Sequence, residues 1–305
     1  MEVSAIYSQG SSLCREDGLV MTAQLFGVFD GISEPYAPKY PMRKFNGLTG
    51  GEMVARLCEA YFHGPLFYPR ENLRNTIHGL NSALGNELRW EQIDARMNPP
   101  NTGALPGATL AFTRITEDTI EVLQAGDCTA VIELRNGEII VSPNQVRAHD
   151  TEMQKEIERI QREVAQELFS LTLEDVPDAD RGQVRGEMWN RFLPILLEAR
   201  LRDVNRRESP HGYGVLNGQL ELLELLWERT FHRNEVATLL LLSDGMIPWT
   251  VMRSTNDREI GRTVLAEFKR RGLAGLLLSA RDIEEQTAAA SYMNQAEATA
   301  VAIVF

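Results

Sequence analysis

The sequence predicts an α+β protein built on antiparallel sheet, and three observations lead there. Short β-prone runs follow one another between residues 108 and 142. Amphipathic helical patterns lie on both sides of them, and no glycine-rich phosphate loop of the Rossmann or Walker type occurs. The runs are 108–114, 119–124, 129–134 and 138–142, separated by turn residues. Asn136-Gly137 suits a two-residue hairpin, because both positions tolerate positive φ. Strands joined by such short turns form an antiparallel meander, since parallel neighbours need a long crossover.

The other elements follow in order. Residues 3–7 read as a short strand, and 18–29, rich in Val and Phe, as one or two buried strands ending at Asp30-Gly31. Gly50-Gly51 opens a helix with Met53, Val54, Leu57, Ala60 and Tyr61 on one face. A second helix is predicted over 71–97, where Leu73, Ile77, Leu80, Leu84 and Leu88 recur at helical intervals and Pro99-Pro100 stops the pattern. Residues 150–205 carry two or three amphipathic helices with a break around Pro177-Asp178. Strand character returns at 211–216 and at 236–243, where the apolar run is too short to cross a membrane. Helices over 257–271 and 279–291 precede a final apolar strand at 298–305.

Composition narrows the function. The chain of 305 residues has 43 acidic against 31 basic residues, a formal charge of −12. Nucleic-acid affinity comes largely from Lys and Arg neutralising phosphates, so a nucleic-acid partner is not expected. Three scattered cysteines, Cys14, Cys58 and Cys128, make neither a disulfide framework nor a zinc ribbon. No secretory leader or membrane span is read, and the expected location is the cytoplasm.

Carboxylates recur where strands end: Glu16-Asp17, Asp30-Gly31, Gly126-Asp127 and Asp244-Gly245. Each alone reads best as a turn pair. Yet neither Asp30-Gly31 nor Asp244-Gly245 is followed at once by a pairing strand. Carboxylates from several strand ends can meet at one sheet edge, where they repel unless a cation sits between them. Oxygen ligands without a His or Cys cluster point to Mg²⁺ or Mn²⁺ rather than zinc.

The ordered series Arg15-Glu16-Asp17, Val28-Phe29-Asp30-Gly31, Gly107-Ala108-Thr109-Leu110, Ala125-Gly126-Asp127-Cys128, Leu242-Ser243-Asp244-Gly245 and Ala298-Thr299-Ala300-Val301 resembles the PPM (type 2C) family of metal-dependent protein phosphatases. The resemblance implies a four-layer α-β-β-α sandwich of two antiparallel sheets flanked by helices. It implies one domain over 1–305, with 150–206 as a mainly helical insertion or enlarged flap. By position, Glu16 or Asp17 would hold one metal, and Asp30 would bridge two, with the Gly31 carbonyl as a further ligand. Asp244 would hold the other, and Asp127 matches a third, weaker site. Asp30 and Asp244 would be central to catalysis. A water between two Mn²⁺ or Mg²⁺ ions would attack a phosphoserine or phosphothreonine of a protein substrate.

Two positions depart from the family's pattern. Ala296 stands where a last Asp ligand is usual, with Glu297 one residue later as a longer substitute. Ser12 stands where many members carry a phosphate-gripping Arg, with Arg15 the nearby candidate. Losing a carboxylate weakens metal binding, and losing an Arg fork weakens phosphate orientation. The alternative is therefore a weak or inactive phosphatase-like module that binds a partner protein through its helical segment. A hydrolase of small phosphate compounds needs only the same acids. His149, beside Asp150, is a general-acid candidate or, more commonly for such a residue, an exposed or locally bonded histidine. Cys14 is expected to be inert.

Overall fold

Leu239, Leu240, Leu241 and Leu242 are all fully buried, and this requires a strand covered on both faces. The computed structural model shows how, describing residues 1–11, 13–33, 37–39, 44–64, 72–90, 105–248, 251, 256–291 and 296–305. Ser12, Glu34-Pro35, Pro99-Pro100 and Trp249 lie outside the described residues.

Two five-stranded sheets form, every neighbouring pair antiparallel. One runs β2 (Gly18–Met21), β3 (Leu25–Ile32), β4 (Gly107–Ile115), β5 (Thr119–Ala125) and β8 (Trp227–His232). The other runs β1 (Glu2–Ser8), β10 (Ala298–Val304), β9 (Val236–Leu242), β6 (Thr129–Leu134) and β7 (Ile139–Val141). Alternation along each strand then sorts the side chains. Leu239 and Leu241 join Val28, Ile132 and Val301 between the sheets. Leu240 and Leu242 face the other way, with Val264 and Leu276 of α5 (Asp257–Ser291). On β3, Val28 points between the sheets and Phe29 outward, among Val54 and Phe62 of α1 (Gly50–His63) and Ile77 and Leu80 of α2 (Leu73–Trp90). The result is the predicted α-β-β-α sandwich.

The structure differs from the sequence reading in three elements. The four middle strands are not one meander: β4 and β5 belong to one sheet, β6 and β7 to the other, and the chain changes sheets at residues 126–128. Local turn chemistry specifies a reversal of the chain, but not which partner lies beyond it. Residues 211–216 make only isolated bridges, Tyr213 to Val204 and Leu216 to Ala108. The strand that does pair there is β8, a polar edge strand with only Phe231 buried. The helix expected over 257–271 ends there, at Gly272 with φ 69°, but the second helix follows at once instead of starting at 279.

Helices α3 (Arg147–Phe169) and α4 (Asp178–Asp203) pack on each other through Ile160, Val164, Val184, Met188 and Phe192. Ser170, at φ 58°, ends α3, and Pro177 precedes α4, so the break falls close to the predicted Pro177-Asp178. At the base of this hairpin, Val146, Val204, Tyr213 and Val215 pack against Ile32 at the end of β3. That contact brings α4 to the strand carrying Asp30. Among the described residues no helix is long and apolar enough to cross a membrane.

Candidate metal centre

Asp30, Asp127 and Asp244 arrive from three separate stretches of chain. Asp30 lies near the end of β3, in register with Thr109 on β4. Asp127 sits where the chain leaves β5 for the other sheet, after Gly126 at φ 79°. A side chain at Gly126 would strike Thr109 Cγ2, so the tight turn requires glycine. The Thr109 hydroxyl donates to Asp127 Oδ1 at 2.6 Å and fixes its direction. Asp244 begins the short 3-10 turn that follows β9. These paths bring one carboxylate oxygen from each of the three within 4.8 Å of one another.

Burial and mutual repulsion set the charge of this group. Burial first, then the negative charges of Asp244, Asp17 and Asp127, hold the Asp30 carboxyl well above the usual carboxylate range. Asp127 is raised by burial, against the Thr109 hydrogen bond and neighbouring backbone donors. Buried Asp17 accepts from the Ser243 hydroxyl at 2.8 Å, yet burial still pushes it up to about 7. Hard oxygens on three partly buried acids, costly to ionise together, fit a divalent cation.

The other acids named from the sequence are engaged elsewhere. Glu16 Oε1 accepts from the Ser33 hydroxyl at 2.5 Å and from the Thr49 hydroxyl. Thr49 also caps α1 by accepting from the Glu52 N–H. Glu297 Oε2 accepts the N–H groups of Glu16 and Asp17 at 2.7 and 2.6 Å, and its Oε1 faces the Tyr7 hydroxyl at 3.3 Å. Both carboxylates therefore brace the loop before β2, and neither joins the three-acid group. Ala296 is exposed. Gly31 lies against the start of α1: its N–H donates to Glu16 O at 3.1 Å, and an added Cβ would sit 2.8 Å from Gly51 O. Arg15 is exposed, bonded to Glu59 at 2.7 Å and stacked over the Tyr7 ring at 5.0 Å. The Cys14 thiol is raised by burial and by nearby Glu16, which keeps it protonated.

A cavity of about 720 Å³ opens from Asp127 toward the α3–α4 hairpin. Its walls include Thr109, Asp150, Arg200 and Tyr213, with Met153, Ile157, Phe192 and Leu196 forming an apolar side. Desolvation, then the charges of Asp127 and Asp244, pushes Asp150 up to about 7 against the opposing charge of Arg200. His149 is buried, and its Nδ1–H donates to Asp203 Oδ2 at 2.9 Å. Burial lowers its proton affinity, partly offset by Asp203. Asp203, fully buried, also accepts from Arg202 and from Ser209 at 2.6 Å, and is held well below the usual carboxylate range despite its burial. This network joins the first turn of α3 to the last turn of α4.

Sequence reasoning missed Thr109, Ser243, Arg200 and Asp203. Thr109 and Ser243 stood inside quoted motifs, adjacent to or paired with acids, and that proximity was the available signal. Arg200 and Asp203 lay within an amphipathic pattern with nothing to distinguish them.

Two antiparallel sheets between helical layers, with acids converging where strands end, define a fold shared with PPM-type serine/threonine phosphatases. Stp1, a serine/threonine phosphatase from Staphylococcus aureus, superposes with a TM-score of 0.52 at 14% identity, over 100% of this chain and 94% of that one. The catalytic domain of the phosphatase PstP, in complex with two manganese ions, gives 0.51 at 15% identity, over 99% and 96%. PppA, a regulatory component of T6SS in Pseudomonas aeruginosa, gives 0.51 at 16%, over 100% and 97%. No protein-family profile and no curated protein sequence matches the chain.

Proposed function

We propose that this protein is a metal-dependent phosphatase that hydrolyses phosphoserine and phosphothreonine in a protein substrate. The observation that carries this reading is the meeting of Asp30, Asp127 and Asp244 within 4.8 Å at the sheet ends of a phosphatase fold. Mn²⁺ or Mg²⁺ would be held by those three acids, with Asp17 and the Gly31 carbonyl beside them. A divalent ion there supplies charge for the phosphoryl oxygens and a lowered water pKa. The chain's own residues do the rest. Thr109 aims Asp127, Ser243 holds Asp17, and the cavity beside Asp127 admits the phosphorylated residue while its apolar side excludes water. Asp150, poised near neutrality at the cavity wall, can give a proton to the departing alkoxide.

The test is phosphate release from a phosphothreonine peptide with Mn²⁺ and with chelator. Turnover that needs the ion and vanishes in Asp30→Asn supports the reading, and equal rates with chelator overturn it. The hydrogen bonding of Glu16 and Glu297 favours a second reading, a low-activity relative that binds a partner on its helical segment. A calorimetric titration in which only one ion binds, without turnover, would select it.

A further inference from the structure

Arg200 occupies an unusual place for a helix arginine. It lies near the end of α4, half-buried, and lines the cavity together with Asp127 and Thr109. Its Nη1 donates to the carbonyl oxygen of Ser33 at 3.1 Å, three residues beyond Asp30. Among the described residues that is its one hydrogen bond, and no carboxylate stands within ion-pair distance. A guanidinium carries five N–H donors, so most of the fork remains available from the cavity.

The other cations nearby are differently placed. Arg147, also on the cavity wall, is bonded to Asp257. Arg202 is taken by Asp203 and Glu152. Lys155 is exposed at the rim and offers a point charge rather than a planar fork. Arg15 pairs with Glu59 and does not line the cavity. Arg200 alone among these combines an anchored backbone contact, open donors and a place in the lining of the cavity that also holds Asp127.

We infer that Arg200 grips the substrate's phosphoryl group, so that the phosphate-binding arginine of this protein comes from the second helix of the α3–α4 hairpin rather than from the segment before β2. The inference rests on the phosphatase reading for its substrate, a phosphate monoester entering through the cavity. The acids at one end repel a phosphate dianion unless a cation lies between. A guanidinium fork lining the same cavity matches the remaining phosphate oxygens two at a time. Anchoring by Ser33 restrains the side chain before substrate arrives, which lessens the ordering cost of binding. The helical hairpin then has a direct part in the site: it carries Arg200 to the end of β3 through the contact of Val204 and Tyr213 with Ile32.

The test uses the full-length protein loaded with Mg²⁺ and two variants, Arg200→Ala and Arg200→Gln. Glutamine keeps a donor for the Ser33 carbonyl, so it guards against a variant that merely fails to fold, and thermal melts establish that it is folded. Inorganic phosphate binding is measured by calorimetry, and KM for p-nitrophenyl phosphate by steady-state kinetics. We expect Arg200→Gln to weaken phosphate binding and to raise KM by roughly 10- to 100-fold, the scale of a lost charge-assisted hydrogen bond, with Mg²⁺ affinity unchanged. Phosphate binding by Arg200→Gln equal to that of the unmodified protein overturns the assignment, as does an unmodified protein that binds no phosphate. If the unmodified protein binds phosphate through Arg200 but turns nothing over, the assignment stands and the phosphatase reading falls.

Discussion

The Ser243 hydroxyl donates to Asp17 Oδ2 at 2.8 Å and accepts the Thr299 N–H at 2.9 Å. One small side chain thus ties the residue before β2 to the end of β9 and the start of β10. Both partners are buried, so removing the hydroxyl strands a carboxyl and an amide without water. Ser243→Ala should cost about 1–3 kcal/mol. A urea titration should show a lower midpoint with an unchanged slope, and an unaltered midpoint would contradict this role.

Asp30 should trade stability against cation binding. Burial and the charges of Asp244, Asp17 and Asp127 make its carboxyl costly to ionise. Asp30→Asn removes that repulsion while keeping the shape, so the chelated protein should become more stable by roughly 1 kcal/mol or more. Mn²⁺ should then stabilise the variant far less than the parent, because a ligand is gone. Thermal melts with chelator and with Mn²⁺ read both effects, and a destabilised chelated variant would show that the acids do not repel.

Stability of the chelated protein should fall as pH rises. Asp17 and Asp150 titrate near 7 in the folded chain and near 4 when unfolded. Between those values the folded state holds more protons, so the unfolding free energy decreases with pH. The contribution is full below about 4 and lost on passing about 7. Melting temperature should therefore drop from pH 5 to pH 8 in chelator. Saturating Mn²⁺ should raise it most at pH 8, where the acids are ionised. A chelated melting temperature that climbs over this range would refute the proposed charge state.

The Asp203 network should be the keystone of the helical hairpin. Its fully buried carboxylate faces His149, Arg202 and Ser209, and Asp203→Ala leaves the His149 N–H and the Ser209 hydroxyl unanswered while Arg202 keeps Glu152. A loss of about 1–3 kcal/mol is expected, the cost of leaving a buried donor without its acceptor. Limited proteolysis should then cut first within α3 and α4, while the two sheets persist. Cleavage spread evenly over the chain would argue against such a local role.

Period and punctuation carried most of the fold. Strands β3, β6, β9 and β10 and helices α1 to α4 follow from apolar spacing, since burial against a neighbour imposes its own repeat on the sequence. Edge strand β8 did not, because a strand with one solvated face and few buried positions lacks that repeat. Nor did the change of sheet at residues 126–128, because a turn encodes direction and not destination.

For the site, the residues themselves declared the chemistry: Asp30, Asp127 and Asp244 are hard-oxygen donors at strand ends, and among the described residues theirs are the acids that come close enough to share an ion. Which acids converge was a matter for the folded chain. Glu16 and Glu297 are as acidic as the rest, yet backbone amides and hydroxyls brought beside them claim their oxygens. Arg200, 170 residues from Asp30 along the chain, reaches the end of β3 only because the hairpin packs on Ile32. Side-chain type is local, whereas the partner a charged group meets depends on long-range packing.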